Sequence, residues 1–551
     1  MKKIVGIFIL LSSFLNAIAQ PKTILNKQTL NRPKLVVGIV IDQMRWDFLY
    51  RYYDRYSNDG FKRLLNQGFN CENTFIPYCP TVTAAGHACI YTGSVPAING
   101  IVGNDWYDYP SQKNKYCTED KTVQPIGTDN NDKGQMSPKN LWVTTIGDEL
   151  KLATNFRAKV FGISLKDRGS ILPAGHSADA AYWYDTKTGN FITSSYYRND
   201  LPNWVKSFNT PQVVLNYYQN NWNTLYPINT YLQSDEDENK YEHTEFDSTQ
   251  KKFPYDLKRF ADTKNFDKIF STPYGISMTF DFAKAAIKNE KIGMDSIPDL
   301  LAISISSTDY IGHAFGPNSI ENEDTYLRLD KDLANFLKFL DIEIGKNNYT
   351  LFLSSDHGIA HIPEYLKKHK IPSGIVAGTA LRKKLNQILK EKFGYDTICI
   401  ANFKGQFYLN FELIEQKKLN KIEITNEAIA FLKSTEGIDR VLDFTNLQNA
   451  MLPKEIKEQF IKGYHPQRCG DILTILKAGY VDSKYNTGTN HSVWNPYDAH
   501  IPLLFYGYGV NKGKLNSKTY MTDIAPTISN ILNIQMPNGC IGNTIDEVIK
   551  K

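Results

Sequence analysis

Four short apolar runs, each followed closely by a charged residue, constrain the fold of this chain most: Lys34 to Ile41 before Asp42, Lys159 to Ser164 before Lys166, Asp299 to Ile305 before Asp309, and Thr350 to Leu353 before Asp356. A continuous apolar run of this length suits a strand covered on both faces, the environment of a parallel strand inside a sheet. Helix-like stretches lie between them or follow, such as Ile320 to Ile344, with Leu and Asp/Lys at three- and four-residue spacing, and Thr522 to Leu532. The alternation predicts an α/β fold: a doubly wound, mostly parallel central sheet sandwiched by helices. In such sheets ligands bind in the crevice at the carboxyl ends of the strands. Asp42, Lys166, Asp309 and Asp356 all fall there.

Two regions interrupt the pattern. Residues 184–260 are rich in Tyr, Trp, Asn and Asp with little periodicity, while 372–485 alternates strand-like and helix-like segments (Ile398 to Asn402, Gln406 to Phe411, Thr425 to Ser434, Ile472 to Leu476). Both are expected to be insertions that form a cap beside the crevice, the second as an α+β subdomain. A chain of 551 residues with 42% hydrophobic content can bury one large core and carry such decorations, so disorder is excluded as the default.

Met1-Lys2-Lys3, the apolar run Ile4 to Leu15 and the small-residue end Asn16-Ala17-Ile18-Ala19-Gln20 have the three parts of a secretory signal. The apolar run is shorter than the ~20 residues a membrane helix needs. Cleavage after Ala19 would leave residues 20–551 as a catalytic domain, periplasmic or secreted, monomeric and free of the membrane. The formal charge of +5 falls to +3 without Lys2 and Lys3, too weak a balance for a protein whose partner is a nucleic-acid backbone. The seven cysteines are odd in number and contain no C-x-x-C, so neither a full disulfide framework nor a cysteine zinc site is implied.

The chemistry rests on hard and borderline metal ligands scattered along the chain. Asp42 follows the first run; Asp309 and His313 are four apart, which on one turn of helix points both side chains the same way. Asp356 and His357 precede Gly358, and adjacent ligands require a turn that a glycine permits. His491 lies in the polar loop Thr487-Gly488-Thr489-Asn490-His491, with His500 as a rival. Three Asp and three His are enough for two mixed oxygen and nitrogen sites of the kind that suit zinc. In Pro80-Thr81-Val82-Thr83-Ala84-Ala85-Gly86-His87, Thr81 and Thr83 both precede the start of an apparent helix, whose free amides favour a phosphate. A metal could activate either hydroxyl. Lys166 and Arg168, two apart on an extended chain, would face one side. His87, Asp105 and His361 read as structural.

The succession Asp42, Pro80-Thr81-Val82-Thr83, Gly103-Asn104-Asp105-Trp106, Asp309-x-x-x-His313, Asp356-His357-Gly358 and Thr489-Asn490-His491 resembles the alkaline phosphatase superfamily, in particular the PafA-type, threonine-dependent enzymes of flavobacteria. The resemblance covers nearly the whole mature chain. It implies two zinc ions per chain, one held by Asp309, His313 and His491 and the other by Asp42, Asp356 and His357, with Thr83 as nucleophile. It also implies Asn104, Lys166 and Arg168 as contacts to the phosphoryl oxygens. The expected activity is hydrolysis of small phosphate monoesters through a phosphothreonine, because a basic pair suits a dianion and its free oxygens. A phosphodiesterase or nucleotide pyrophosphatase of the same superfamily is the alternative. A more distant one is a non-catalytic periplasmic binding protein that holds its ligand on Tyr182, Trp183, Tyr184, Tyr196, Tyr197 and Trp204.

Overall fold

All four apolar runs are strands in the computed structural model, which describes residues 30–210 and 213–550. The expected signal segment, residues 1–19, lies outside them. The chain divides into the units Met1–Arg32 and Pro33–Lys551, and the site belongs to the second. Ten strands make its main sheet: β1 (Leu35–Ile41), β2 (Phe69–Cys71), β3 (Pro125–Ile126), β4 (Val160–Ser164), β5 (Ala180–Asp185), β6 (Asn190–Ser194), β7 (Asp299–Ile305), β8 (Tyr349–Ser354), β9 (Leu503–Gly507) and β10 (Gly513–Leu515). Their spatial order is β10-β2-β9-β8-β1-β7-β4-β5-β6-β3. The five central strands, β8-β1-β7-β4-β5, are parallel. On either side β9 and β6 join antiparallel.

Side chains alternate across a strand, and β1 shows why its run is apolar throughout. Leu35, Val37, Ile39 and Ile41 enter a layer filled by two long helices, while Val36 and Val40 enter the opposite layer. The helices that matter here are α1 (Thr83–Thr92), α2 (Asp167–Ala174), α3 (Tyr274–Glu290), α4 (Ser307–Phe315), α5 (Ile320–Leu340) and α6 (Ile524–Leu532). Residues of α3 and α5 fill the first layer, those of α1 and α6 the second. The stretch expected as one helix to Ile344 ends its α-helical part at Leu340 and runs on as a π-turn, Asp341–Gly345.

The two interruptions differ in kind. Residues 184–260 begin inside the main sheet, with the end of β5 and all of β6. Tyr182, Trp183 and Tyr184 are buried in β5, and Trp204 packs on Tyr182 and Phe282. These aromatics are core, which removes most of the surface that a binding-protein reading requires; Tyr196 alone of the six is exposed. Residues 372–485 contain a four-stranded sheet, Cys399–Phe403, Gln406–Leu409, Ile472–Leu476 and Ile438–Asp443 in spatial order. Helices Gly378–Phe393 and Lys421–Lys433 cover it around an apolar core of their own. No described helix is long and apolar enough to cross a membrane. All seven cysteines are free thiols.

Candidate active site

Parallel register brings the strand ends together. Ile41 pairs with Ile305, Val40 with Ser354 and Ser304 with Ser164, so the chain leaves β1, β7, β8 and β4 along one rim. Asp42 begins there, its amide on the Ile305 carbonyl at 3.1 Å. Asp309 sits in the first turn of α4 and His313 one turn later, with Nε2 3.2 Å from Asp309 Oδ1. Asp356 and His357 follow β8. Gly358 has no left-handed φ; a Cβ at this position would lie 2.2 Å from the Tyr497 carbonyl oxygen. The glycine is there for close approach rather than for turning.

The six candidate ligands converge. His357 Nε2 lies 3.5 Å from Asp42 Oδ1 and 3.5 Å from Asp356 Oδ2, and its ring stacks on that of His491 with centroids 3.6 Å apart. His491 Nε2 is 3.9 Å from Asp309 Oδ1. Donor atoms of Asp309, His313 and His491 all fall within 4.8 Å of one another, as do those of Asp42, Asp309 and His357. Asp309 thus stands between the two groups, and Asp356 reaches the second through His357. His500 is elsewhere, sandwiched between Trp46 and Phe75 with its Nε2 on the Glu72 carbonyl.

The imidazoles share one arrangement. Nδ1 donates to a backbone carbonyl in each case: His313 to Thr489 at 2.8 Å, His491 to Thr81 at 2.7 Å, His357 to Gly358 at 3.0 Å. Since a carbonyl only accepts, the neutral ring keeps its lone pair on Nε2, the tautomer that a metal requires. The Thr489 amide returns a bond to the His313 carbonyl at 2.9 Å, which ties the His491 loop to α4.

Asp42 and Asp356 are fully buried, and Asp42 Oδ1 and Asp356 Oδ2 have no hydrogen-bond partner among the described residues. Burial, then the charges of Asp309 and Asp356, raises Asp42 well above the usual carboxylate range. Burial would raise Asp309 too, but the Lys166 ammonium and the imidazoles outweigh it and hold it low. Lys166 Nζ lies 2.5 Å from both Asp42 and Asp309. Three buried carboxylates against one ammonium leave negative charge uncompensated, a costly arrangement without a further cation. The donor set therefore fits divalent metal ions.

Thr83 opens α1, with Oγ1 3.4 Å from His357 Nε2. Thr81 points away, its hydroxyl donating to the Val493 carbonyl at 3.0 Å. Asn104 accepts the Ala84 amide on Oδ1 at 2.9 Å, which places it against the same helix start. Lys166 caps α2 in extended conformation and Arg168 lies in its first turn, so the pair is not on one extended stretch as expected. Arg168 donates to the Tyr116 hydroxyl at 3.0 Å, and its Nε is buried with no hydrogen-bond partner among the described residues. His87, under the site, bonds Thr83 O and Ser304 Oγ and lies 3.3 Å from Asp356. His361 is locked between Arg45 and Asn318. Asp105 is exposed at the start of a short strand, Asp105–Asp108.

Two participants escaped the sequence reading. Gln43 bridges the groups: its amide donates to Asp356 at 3.1 Å and its side chain to Asp309 at 2.6 Å, from a left-handed backbone (φ 70°). Tyr310 stands beside Lys166, whose Nζ is 5.2 Å from the ring centre. Gln43 had a signal, its place directly after a strand-end ligand; Tyr310 had one inside Asp309-x-x-x-His313.

The profile of the type I phosphodiesterase / nucleotide pyrophosphatase family matches residues 36–498. A Myroides odoratus protein named calcium-transporting ATPase is 53% identical over 96% of this chain and 97% of its own. Alkaline phosphatase PafA of Elizabethkingia meningoseptica is 50% identical over 94% of this chain and 95% of its own. A crystal structure of wild-type PafA superposes with a TM-score of 0.92 at 49% identity, over 95% of this chain and all of that one. A PafA variant with a threonine, an asparagine, a lysine and an arginine replaced matches equally, at 48% identity. On these matches the chain belongs to the type I phosphodiesterase / nucleotide pyrophosphatase family, on the branch that holds the PafA-type alkaline phosphatases.

Proposed function

We propose that this chain is an alkaline phosphatase that hydrolyses small phosphate monoesters, with two zinc ions at the six-ligand cluster and Thr83 as nucleophile. The observation that carries the reading is three buried carboxylates and three Nε2-presenting imidazoles converging beside the hydroxyl at the head of α1. Asp309, His313 and His491 would hold one ion and Asp42, Asp356 and His357 the other. Bound there, such ions would supply Lewis acidity toward oxygen and lower the pKa of a hydroxyl.

The chain does the rest. The Thr83 oxygen forms a bond to phosphorus as the bond to the ester oxygen breaks, and the alcohol departs with, in net terms, the proton that Thr83 gave up. Water then cleaves the phosphothreonine, restores the hydroxyl and releases phosphate. The α1 N-terminus turns the positive end of its dipole toward the arriving anion, and Asn104 is fixed next to it by the Ala84 amide. Lys166 and Arg168 supply the positive charge that a dianion needs, and little covalent work falls to the protein beyond positioning. The four residues replaced in the PafA variant lie at intervals of 21, 62 and 2 along its chain. Thr83, Asn104, Lys166 and Arg168 are separated by the same intervals. The signal-like residues 1–19 extend the proposal to an exported protein.

The test is a panel of mono-, di- and sulfate esters offered to zinc-loaded protein from neutral to alkaline pH. Monoesters are expected to give the highest kcat/KM. A diester turned over as fast would transfer the site to the phosphodiesterase reading.

A further inference from the structure

The inserted sheet borders the site through its first hairpin, where Asn402, Phe403 and Lys404 line a cleft shared with His313. Strands Cys399–Phe403 and Gln406–Leu409 pair Phe403 with Gln406, leaving Lys404 and Gly405 as a two-residue turn with φ of 48° and 79°. Two positive φ values define the type I′ turn that Asn-Gly serves best. A lysine in the first position is strained, so the turn itself does not account for it. The tip is anchored, since the Gly405 carbonyl accepts both the amide and the hydroxyl of Thr474, at 2.8 and 2.9 Å.

Lys404 lines a cleft of about 600 Å³ together with Asn104, Tyr310, His313 and Thr489. Its ammonium forms no hydrogen bond or ion pair among the described residues; burial holds its pKa below the usual lysine value, against the opposing charges of Asp482, Asp309, Asp498 and Asp105. Of the three carboxylates that line this cleft, Asp482 accepts the Gly378 amide and Glu245 is held by Ser271 and Lys268, while Asp105 is exposed at the rim, and none of them forms an ion pair with Lys404 among the described residues. Lys166 and Arg168 line a second cleft, and Tyr310 and Asp105 belong to both. A phosphoryl group gripped by the basic pair would therefore send its alcohol past Tyr310 toward His313 and Lys404.

We propose that Lys404, delivered by the inserted subdomain, is a specificity-determining residue that contacts an anionic group, a carboxylate or a second phosphate, on the alcohol part of the substrate. This rests on the phosphatase reading above. The subdomain then acts on the chemistry through one side chain at the tip of a rigid hairpin, and the preferred substrates are monoesters of acidic alcohols.

The experiment compares phenyl phosphate with 4-carboxyphenyl phosphate, using zinc-loaded wild type, Lys404→Met and Lys404→Arg of matched zinc content and melting temperature. The kcat/KM ratio of the carboxylate ester to the plain ester is expected to fall at least fivefold in Lys404→Met and to stay within twofold of wild type in Lys404→Arg. A ratio that Lys404→Met leaves in place overturns the proposal while the phosphatase reading stands. Failure of the wild type to hydrolyse either ester overturns both.

Discussion

Three side chains at the site are set by backbone groups rather than by each other. The carbonyls of Thr489, Thr81 and Gly358 fix the tautomer of His313, His491 and His357, so each ring turns an unprotonated Nε2 into the site. The two threonines divide in the same way. Thr81 uses its hydroxyl on Val493 and approaches Asp498, whereas the Thr83 hydroxyl, among the described residues, bonds only the His357 nitrogen. Thr83→Ala is expected to lower kcat on aryl phosphates by about three orders of magnitude or more, as loss of a nucleophile does elsewhere, with zinc content kept. Thr81→Ala should show its effect in the melting temperature. Near-native turnover by Thr83→Ala would remove the nucleophile assignment.

At the scale of elements, α1 can present Thr83 only because it comes unusually close to the turn after β8. A Cβ on Gly86 would lie 2.5 Å from the Asp356 carbonyl oxygen and 2.6 Å from its Cβ. The small residues after Thr83, legible in the sequence as a helix start, are thus a contact surface for the turn that carries Asp356 and His357. The first interrupting region is fastened to α5 in a different manner. Burial pushes Glu242 up to about 10 and Glu321 up to about 8, and the charges of neighbouring acids add to it. Both carboxyls are therefore protonated in the folded protein at pH values where the unfolded chain has ionised them. Stability from such groups is whole below the unfolded value, near 4.5, and is lost progressively up to the folded one. The melting temperature is expected to decline between about pH 4.5 and 10, and Glu242→Gln, which cannot ionise, should flatten the decline. A wild-type melting temperature that rises over this interval would contradict the linkage.

For the molecule as a whole, the sheet brings three carboxylates to one buried rim with a single ammonium among them. An ion that binds only the folded state contributes roughly 4 kcal/mol when its free concentration is a thousand times its Kd. Dialysis against a chelator should therefore abolish turnover and lower the melting temperature by several degrees, with zinc restoring both. A melting temperature indifferent to the chelator would mean that Lys166 alone balances the rim.

The main sheet was legible because each central strand is buried on both faces and so must be apolar throughout, as β1 is. The strand-end acids were legible because parallel strands deliver their carboxyl ends to one edge. Asp309 and His313 were readable from helical spacing, which is a local property. Other features were not local. Whether His491 or His500 joins the cluster depends on which loop meets α4. Tyr182 and Trp183 looked like a binding surface until the sheet enclosed them. Gln43 and Tyr310 sit beside Asp42 and Asp309 in the sequence, yet their partners Asp356 and Lys166 come from distant elements, and Lys404, which lines the adjoining cleft, lies more than three hundred residues from Thr83. Composition and periodicity determined which residues could be buried and which could bind metal. Only tertiary packing decided which of them share a volume, because that depends on crossovers and close approaches that no single stretch of chain encodes.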